Sequence, residues 1–287
     1  MPVSPQSRHV MTASYNTAFE SANAYASAAS FYVRQGASEH ILSREIPVPM
    51  SKPPLLLLHA ALGAASQLAP LGRALASDFD VVTHDFDGHG VRVPSDAPLS
   101  FTGMADDVLA MLDRRGIDSI PIFGHSMGGY VGFCLALHAP QRVQSLHSLG
   151  TYFEWDEASA ARTLRDLDAD LIEQKVPAFA GVLAERHAVP GWRAVVQRTY
   201  ALIEAVGVAP PLRLAQLREL QTPVRVGVGD RDNLTSVASM VTLTEALANG
   251  ELIVFPRTGH AIERAPIDVI ARSITDFAAS AQHPSET

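Results

Sequence analysis

Short apolar runs alternate with longer amphipathic segments from about residue 41 to residue 280. The short runs are typical of buried strands. The longer segments, with apolar residues three and four positions apart, are typical of helices with one buried face. This alternation predicts an α/β fold with a mostly parallel central sheet flanked by helices. The predicted strands are Ile41–Val48, Leu55–Leu58, Val81–His84, Ile120–Phe123, Val143–Leu149, Val224–Val228 and Leu252–Phe255, and the predicted helices are Ala64–Ser77, Gly103–Arg115, Met127–His138, Ser236–Ala248 and Ile267–Ala279.

One long interval breaks this rhythm. Residues 151–221 separate two predicted strands, whereas a usual connection has about 2–6 residues. Apolar residues recur in the interval at helical spacing, so we expect an inserted helical lid. The chain then divides into a partly ordered N-terminal extension over residues 1–40, a core formed by residues 41–150 and 222–280, the lid over residues 151–221, and a C-terminal tail over residues 281–287.

Charge and composition exclude several classes of partner. With 22 basic and 30 acidic residues the net charge is −8, which does not provide the positive surface that nucleic-acid binding needs. The longest nearly apolar run, Leu55–Ala65, is far shorter than the ~18 residues of a membrane-spanning helix, so we expect no membrane partner. The single cysteine, Cys134, and the absence of an apolar segment near the N-terminus favour a cytoplasmic protein. None of these patterns indicates the oligomeric state.

The segment from Gly124 to Gly128 contains the pattern G-x-S-x-G between a predicted strand and a predicted helix. A serine at such a junction occupies a strained turn, and neighbouring glycines let the strand and helix approach closely. Its Oγ would lie at a helix N-terminus, where the dipole favours a developing oxyanion. The pattern predicts Ser126 as a nucleophile. The alternative is a glycine-rich turn with an incidental serine.

A serine hydroxyl needs a base, and the base needs a carboxylate to orient it. His260 lies on a loop after the last predicted strand, at the same edge of the sheet as Ser126, and is the predicted base. The turn after the preceding strand, residues 229–232, supplies two candidate carboxylates, Asp230 and Asp232.

These motifs follow each other in the order Ser, Asp, His, and residues 41–280 resemble the α/β-hydrolase fold family. The resemblance implies Asp232 as the acid of a catalytic triad, with Asp230 as the first alternative. A further alternative, also implied by the family, is Glu154 or Asp156 after an earlier strand.

The segment His59-Ala60-Ala61 resembles the oxyanion loop of this family. The resemblance implies that the backbone N–H of Ala61 joins that of Met127, the residue after the nucleophile, to bind an oxyanion. Ala60 stands where the family has glycine, so the loop either keeps ordinary backbone angles or departs from the family geometry. We expect His59 to hydrogen-bond the loop backbone rather than to transfer protons.

A histidine- and aspartate-rich turn, residues 84–90, offers a second possible site. Residues 85–90 resemble the D-x-x-G-x-G turn of the same family. His84, Asp85, Asp87 and His89 could be read as metal ligands, but they lack a recognised ligand spacing, and capping aspartates explain them as well. The sequence has no phosphate-loop or dinucleotide motif. We therefore expect neither a metal nor an organic cofactor.

Aromatic residues are concentrated at the start and in the middle of the insertion. Rings above the nucleophile would form an apolar pocket for an acyl or alcohol group and exclude water. The alternative is that the rings only attach the insertion to the core. The candidate substrate-binding residues are Tyr152, Phe153, Trp155 and Trp192, and we expect the insertion to set substrate size more than the chemical step.

Together these features predict a serine hydrolase that acts on a small-molecule ester, lactone or thioester through an acyl-enzyme. Related sequences also include hydrolases that cleave C–C bonds of diketo acids, but these often have Asn before the serine and Trp after the histidine. His125 and Ala261 stand at those positions here. A cofactor-free perhydrolase or lyase, and a non-catalytic ligand-binding relative, stay open. The serine disfavours the branches that use an aspartate nucleophile.

Overall fold

Residues 51–282 are described by the structure, a computed structural model of the chain. The expected extension over residues 1–40, the predicted strand Ile41–Val48 and the tail residues 283–287 lie outside the described residues. Between residues 51 and 282 the chain forms six strands and nine α-helices. In this range no helix is both long and apolar enough to span a membrane.

The six strands form one sheet in the order β2-β1-β3-β4-β5-β6, and all neighbouring strands are parallel. The chain runs from β1 outward to β2 and then returns to place β3 on the other side of β1. Ligand sites of open α/β sheets lie at such a switch point, outside the carboxyl ends of the strands. The strands are β1 (Pro54–Leu58), β2 (Asp80–His84), β3 (Ile120–His125), β4 (Val143–Leu149), β5 (Val224–Gly229) and β6 (Gly250–Phe255).

Helices cover both faces of the sheet. Alternate residues of β1 enter different apolar clusters, Leu55 and Leu57 on one face and Leu56 and Leu58 on the other. A strand that is buried on both faces is therefore apolar throughout, as in other parallel sheets. The helices outside the insertion are α1 (Ala69–Leu75), α2 (Phe101–Arg115), α3 (Met127–His138), α8 (Val237–Glu245) and α9 (Ile267–Gln282), of which α1 and α9 share one face.

The predicted helix Ala64–Ser77 is split in two. A 3₁₀ turn, Ala65–Leu68, precedes α1, which has Pro70 in its first turn. Because proline lacks an N–H, it is tolerated only where a helix begins, and it favours a new start at this point.

The insertion between β4 and β5 is helical, as the apolar spacing predicted. It contains α4 (Glu157–Leu164), α5 (Ala169–Lys175), α6 (Pro177–Arg186) and α7 (Trp192–Val208), followed by a 3₁₀ turn, Leu214–Glu219. Asp156 and Asp168 cap the first two helices, each accepting a backbone N–H with its side chain. The four helices share an apolar cluster, which includes Leu183, Val195 and Ile203 and also takes in Leu62 from the turn after β1.

Several histidines are buried in this fold, and burial holds their pKa values low because it penalises the charged ring. The pKa of His89 and that of His125 fall to about 4, and the pKa of His147 falls to about 3. The pKa of His59 lies well below its ordinary value for the same reason. These rings are neutral in the folded protein at neutral pH.

We therefore expect the free energy of unfolding to be nearly constant above about pH 7.5 and to fall as the pH is lowered toward 4. The unfolded chain takes up protons on these histidines at about pH 6.5, whereas the folded chain does not, so acid favours unfolding. Each ring with a folded pKa near 4 should cost about 2 kcal/mol at pH 5. Urea denaturation at pH 7.5, 6.5, 5.5 and 5.0 measures the slope.

Two variants make this test specific. His147→Asn should reduce the pH slope by about one proton, while His138→Gln, at an exposed position, should leave it unchanged. A free energy that stays constant from pH 7.5 to 5.0 would contradict the expectation.

Candidate active site

The turn at Ser126 has the strained geometry that the sequence pattern predicts. Ser126 has φ 52° and ψ −112° and lies between the end of β3 and the start of α3. Its backbone N–H donates to the carbonyl oxygen of Leu149 at 2.8 Å, which ties the turn to β4. A Cβ on Gly128 would lie 2.3 Å from the carbonyl oxygen of Leu58, so only glycine lets α3 approach β1 this closely.

Ser126, His260 and Asp232 form one hydrogen-bonded chain. The distance from Ser126 Oγ to His260 Nε2 is 3.1 Å, and that from His260 Nδ1 to Asp232 Oδ2 is 2.8 Å. A carboxylate can only accept, so the His260 proton lies on Nδ1 and leaves Nε2 free to accept the serine proton. The sequence predicted all three residues, and the fold brings them together from β3, β5 and β6.

The carboxylate of Asp232 is held in its ionised form although its side chain is only 2% exposed. Burial raises the pKa of Asp232, but hydrogen bonds and charge attraction from His260, together with the backbone N–H groups of Thr235 and Leu234, outweigh burial and lower it. Asp232 Oδ1 accepts those two N–H groups at 2.9 and 2.8 Å. The carboxylate is therefore fixed in position and charge before any substrate binds.

The other candidate carboxylates have different partners. Asp230 is exposed and accepts the backbone N–H of Thr258 at 3.2 Å, which orders the loop before His260. Glu154 accepts the hydroxyl of Ser239 at 2.8 Å, and Asp156 caps α4. The alternatives to Asp232 thus serve the surrounding structure.

The proposed oxyanion loop forms a four-residue turn. The N–H of Gly63 donates to the carbonyl oxygen of Ala60 at 3.0 Å, and Leu62, not Ala60, has the positive φ, at 55°. Replacement of the family's glycine by Ala60 therefore causes no backbone strain. Within residues 51–282, the backbone N–H groups of Ala61 and Met127 donate no hydrogen bond to another residue, so both are available to a ligand.

Comparison with known proteins shows the family of the chain. A model of the alpha/beta hydrolase fold matches residues 53–191. A relative from Rhizobium rhizogenes, provisionally named carbamate hydrolase RutD, is 30% identical over 233 residues, which are 72% of this chain and 86% of the relative. The chain belongs to the α/β-hydrolase fold family.

Solved structures show the same fold. The enol-lactonase from Burkholderia xenovorans LB400 is similar with a TM-score of 0.64 and 21% identity, covering 80% of this chain and 92% of that one. The 2-hydroxy-6-oxo-6-phenylhexa-2,4-dienoate hydrolase from Rhodococcus sp. strain RHA1 is similar with a TM-score of 0.65 and 24% identity, covering 79% and 90%. The structures show the fold alone, whereas the family match and the 30% identical relative show that the protein is an enzyme, a hydrolase of this fold family.

Histidines near the site of this α/β hydrolase are structural. His59 is fully buried, donates from Nδ1 to the carbonyl oxygen of Ala60 at 2.8 Å and accepts the N–H of Phe86 at Nε2. His84 is hydrogen-bonded to Asp107, which is also ion-paired with Arg92. The expectation that His59 holds backbone is thereby confirmed.

The aspartates of the 84–90 turn also have protein partners. Asp85 accepts the backbone N–H groups of Ala65 and Val91, and Asp87 is ion-paired with Arg198 of α7. Within residues 51–282, no group of three acidic, histidine or cysteine side chains has an arrangement suited to a metal ion.

The aromatic candidates divide into two groups. Phe153 is buried and packs against Tyr130 and Phe133 of α3, with ring centroids 4.9 Å apart in both pairs, which is the environment of a core residue. This placement differs from the expected pocket role, because its ring faces helix α3. Trp155 is half-buried between the core and the insertion, and forms an edge contact with Tyr152.

Trp192 packs against the apolar cluster of the insertion and Leu62, with the guanidinium of Arg193 over its ring at 4.9 Å. Its ring is half-buried. Of the four aromatic candidates, Tyr152, Trp155 and Trp192 stay predictions as substrate-binding residues.

Two positioning features were not predicted. His125 Nε2 donates to the backbone carbonyl oxygen of His260 at 2.9 Å and so anchors the loop that carries the base. Gly150, at the end of β4, has φ 62°, and a Cβ there would lie 3.0 Å from Asp232 Oδ2 and 3.2 Å from His260 Nδ1. A glycine directly after a strand, at the edge of the sheet that carries the site, is the sequence signal that could have indicated the second feature.

We expect Gly150→Ala to slow labelling of Ser126 by a fluorophosphonate roughly 10-fold or more, because the new methyl group displaces Asp232 or His260. Gly116→Ala is the matched control, since Gly116 also has a positive φ, 67°, but its Cβ would meet nothing within 4 Å. Both variants should lose about 1 kcal/mol of stability from backbone strain. Equal labelling rates in the two variants would contradict this role of Gly150.

Proposed function

We propose that this enzyme is a serine hydrolase that cleaves a small or medium carboxylic ester, lactone or thioester through an acyl-enzyme. The observation that carries the proposal is the continuous chain of hydrogen bonds from Ser126 through His260 to a buried, ionised Asp232. A binding protein without catalysis would have no need to hold a buried carboxylate charged behind a histidine.

In the first half of the reaction, Ser126 Oγ attacks the carbonyl carbon of the substrate while His260 Nε2 takes the hydroxyl proton. The carbonyl oxygen becomes an oxyanion, and the N–H groups of Ala61 and Met127 stabilise it. His260 then gives its proton to the leaving oxygen or sulfur, and the bond between that atom and the carbonyl carbon breaks. Asp232 stabilises the imidazolium throughout.

In the second half, water attacks the acyl-enzyme. His260 takes a proton from the water, the same two N–H groups bind the second oxyanion, and the proton returns to Ser126 as the acid product leaves. No metal or organic cofactor enters either half. The cytoplasmic location expected from the sequence belongs to this proposal, since a chain with a single cysteine has no intrachain disulfide that would need an oxidising compartment.

The name of the relative adds a further acyl class to test. The provisional carbamate hydrolase covers most of this chain, and a carbamate carbonyl can be attacked by the same three residues. Esters remain the first choice because an alkoxide is a better leaving group than an amide nitrogen. A panel of esters, lactones, thioesters and carbamates of rising chain length separates these classes.

We expect Ser126→Ala to abolish covalent labelling by a fluorophosphonate and to lower kcat by roughly 10³-fold or more on the best ester. The fold should be unchanged, since the variant removes one oxygen atom. Labelling that persists in the variant would show that another residue is the nucleophile. Labelling of the wild type without turnover of any acyl substrate would favour the C–C hydrolase or a binding role.

We expect Asp232→Asn to lower kcat by about 10²–10⁴-fold, because the amide stabilises the imidazolium less well and favours the wrong tautomer of His260. Asp230→Asn is the matched control two residues away. Its amide oxygen can still accept the N–H of Thr258, so kcat should change by less than about 3-fold. If the two variants rank in the opposite order, Asp230 is the acid.

A further inference from the structure

We infer that the C-terminal end of α6, in the helical insertion, holds the oxyanion turn in its active shape, with Arg186 and His187 as positioning residues. The inference rests on the proposed function, because the group that it concerns is the backbone N–H of Ala61. It assigns the insertion a part in the chemical step, in addition to any part in substrate selection.

The oxyanion turn, residues 60–63, needs stabilising contacts from outside because it contains a strained residue. Leu62 has φ 55°, a conformation that is strained for a non-glycine residue and persists only where the surroundings fix it. Its carbonyl oxygen accepts two hydrogen bonds, from Arg186 Nη1 and from His187 Nε2, each at 3.0 Å. Because Leu62 follows Ala61 directly, release of this carbonyl would let the turn relax and rotate the peptide planes on which the Ala61 N–H depends.

His187 acts as a bridge between two turns. Its Nδ1 accepts the backbone N–H of Gly90 at 2.9 Å, so the ring proton lies on Nε2 and points at Leu62. The ring is fully buried, and burial lowers the pKa of His187, so the neutral form that satisfies both bonds is the stable one. The ring thereby joins the 84–90 turn after β2 to the oxyanion turn after β1.

Arg186 also connects this network to the segment that follows His260. Its Nη2 donates to Glu263 Oε1 at 3.0 Å, and Gln67 Nε2 donates to the same oxygen at 2.9 Å. Glu263 lies three residues after His260. One guanidinium therefore connects the insertion, the oxyanion turn and the segment that follows the catalytic histidine, and its charge is neutralised in place.

Arg186→Met and His187→Ala test this inference, with Arg193→Met as the matched control. Arg193 belongs to the same insertion, where its guanidinium is ion-paired with Asp170 and Glu173 and lies over the Trp192 ring. A fluorophosphonate titrates the active Ser126 sites, and kcat and KM for p-nitrophenyl acetate and butyrate are expressed per titrated site. This normalisation removes any effect of partial unfolding.

The expected result is a fall in kcat per titrated site of about 10–100-fold in Arg186→Met and in His187→Ala, because displacement of an oxyanion donor by a fraction of an ångström costs this much. The fall should be equal for acetate and butyrate, with KM changed by less than about 2-fold. A trifluoromethyl ketone, whose adduct carries an oxyanion, should bind more weakly by the same factor. Arg193→Met should match the wild type.

Unchanged kcat per titrated site in both variants, with a lower melting temperature, would overturn the inference and leave the proposed function intact. A loss for butyrate alone would also overturn it, since it would indicate a role in substrate size. Failure of the fluorophosphonate to label wild-type Ser126 would instead refute the proposed function. Should either variant not fold, Arg186→Leu and His187→Phe replace them, since these side chains also lack a donor for the Leu62 carbonyl oxygen, and kcat per titrated site decides in the same way.

Discussion

The close approach of α3 to β1 and β3 is the constraint on which the site depends. Cβ atoms at Gly124 and Gly128 would lie 2.5 and 2.3 Å from backbone oxygens, and a Cβ at Gly129 would lie 2.0 Å from the hydroxyl of Thr151. These contacts leave no room for side chains, so the chain must turn sharply at Ser126. The sharp turn places the serine at the switch point of the sheet, at the same edge as the turn after β1 that contains Ala61.

Burial acts on the polar groups of the site in two opposite ways. Asp232 is buried but ionised, because His260 and two backbone N–H groups compensate it. His125 and His59 are buried without a carboxylate partner, and their rings are neutral. The same low-dielectric surroundings therefore keep the negative charge of Asp232 and disfavour a positive charge on His125 and His59. His260 lies between the Asp232 carboxylate and the Ser126 hydroxyl.

The helical insertion rests on the loops that carry the site. Arg198 of α7 is ion-paired with Asp87, and Arg186 at the end of α6 is ion-paired with Glu263. The aromatic candidates also differ in their surroundings. Phe153 packs in the core against α3, whereas Trp155 lies where the insertion meets the core.

The sequence by itself determined the α/β fold and much of the site, because strand periodicity and a glycine-serine turn are local properties of the chain. Every strand predicted after residue 50 is present in the structure, and Ser126 and His260 follow from their places at strand ends. The sequence left two aspartates open, since Asp230 and Asp232 lie in one turn with the same local pattern. Only the tertiary structure distinguishes the carboxylate that faces His260 from the one that faces Thr258. The tertiary structure alone also brings Arg186 and His187 to Leu62, more than a hundred residues away in the sequence. Such contacts depend on how the helices pack, and no periodic pattern of the sequence predicts them.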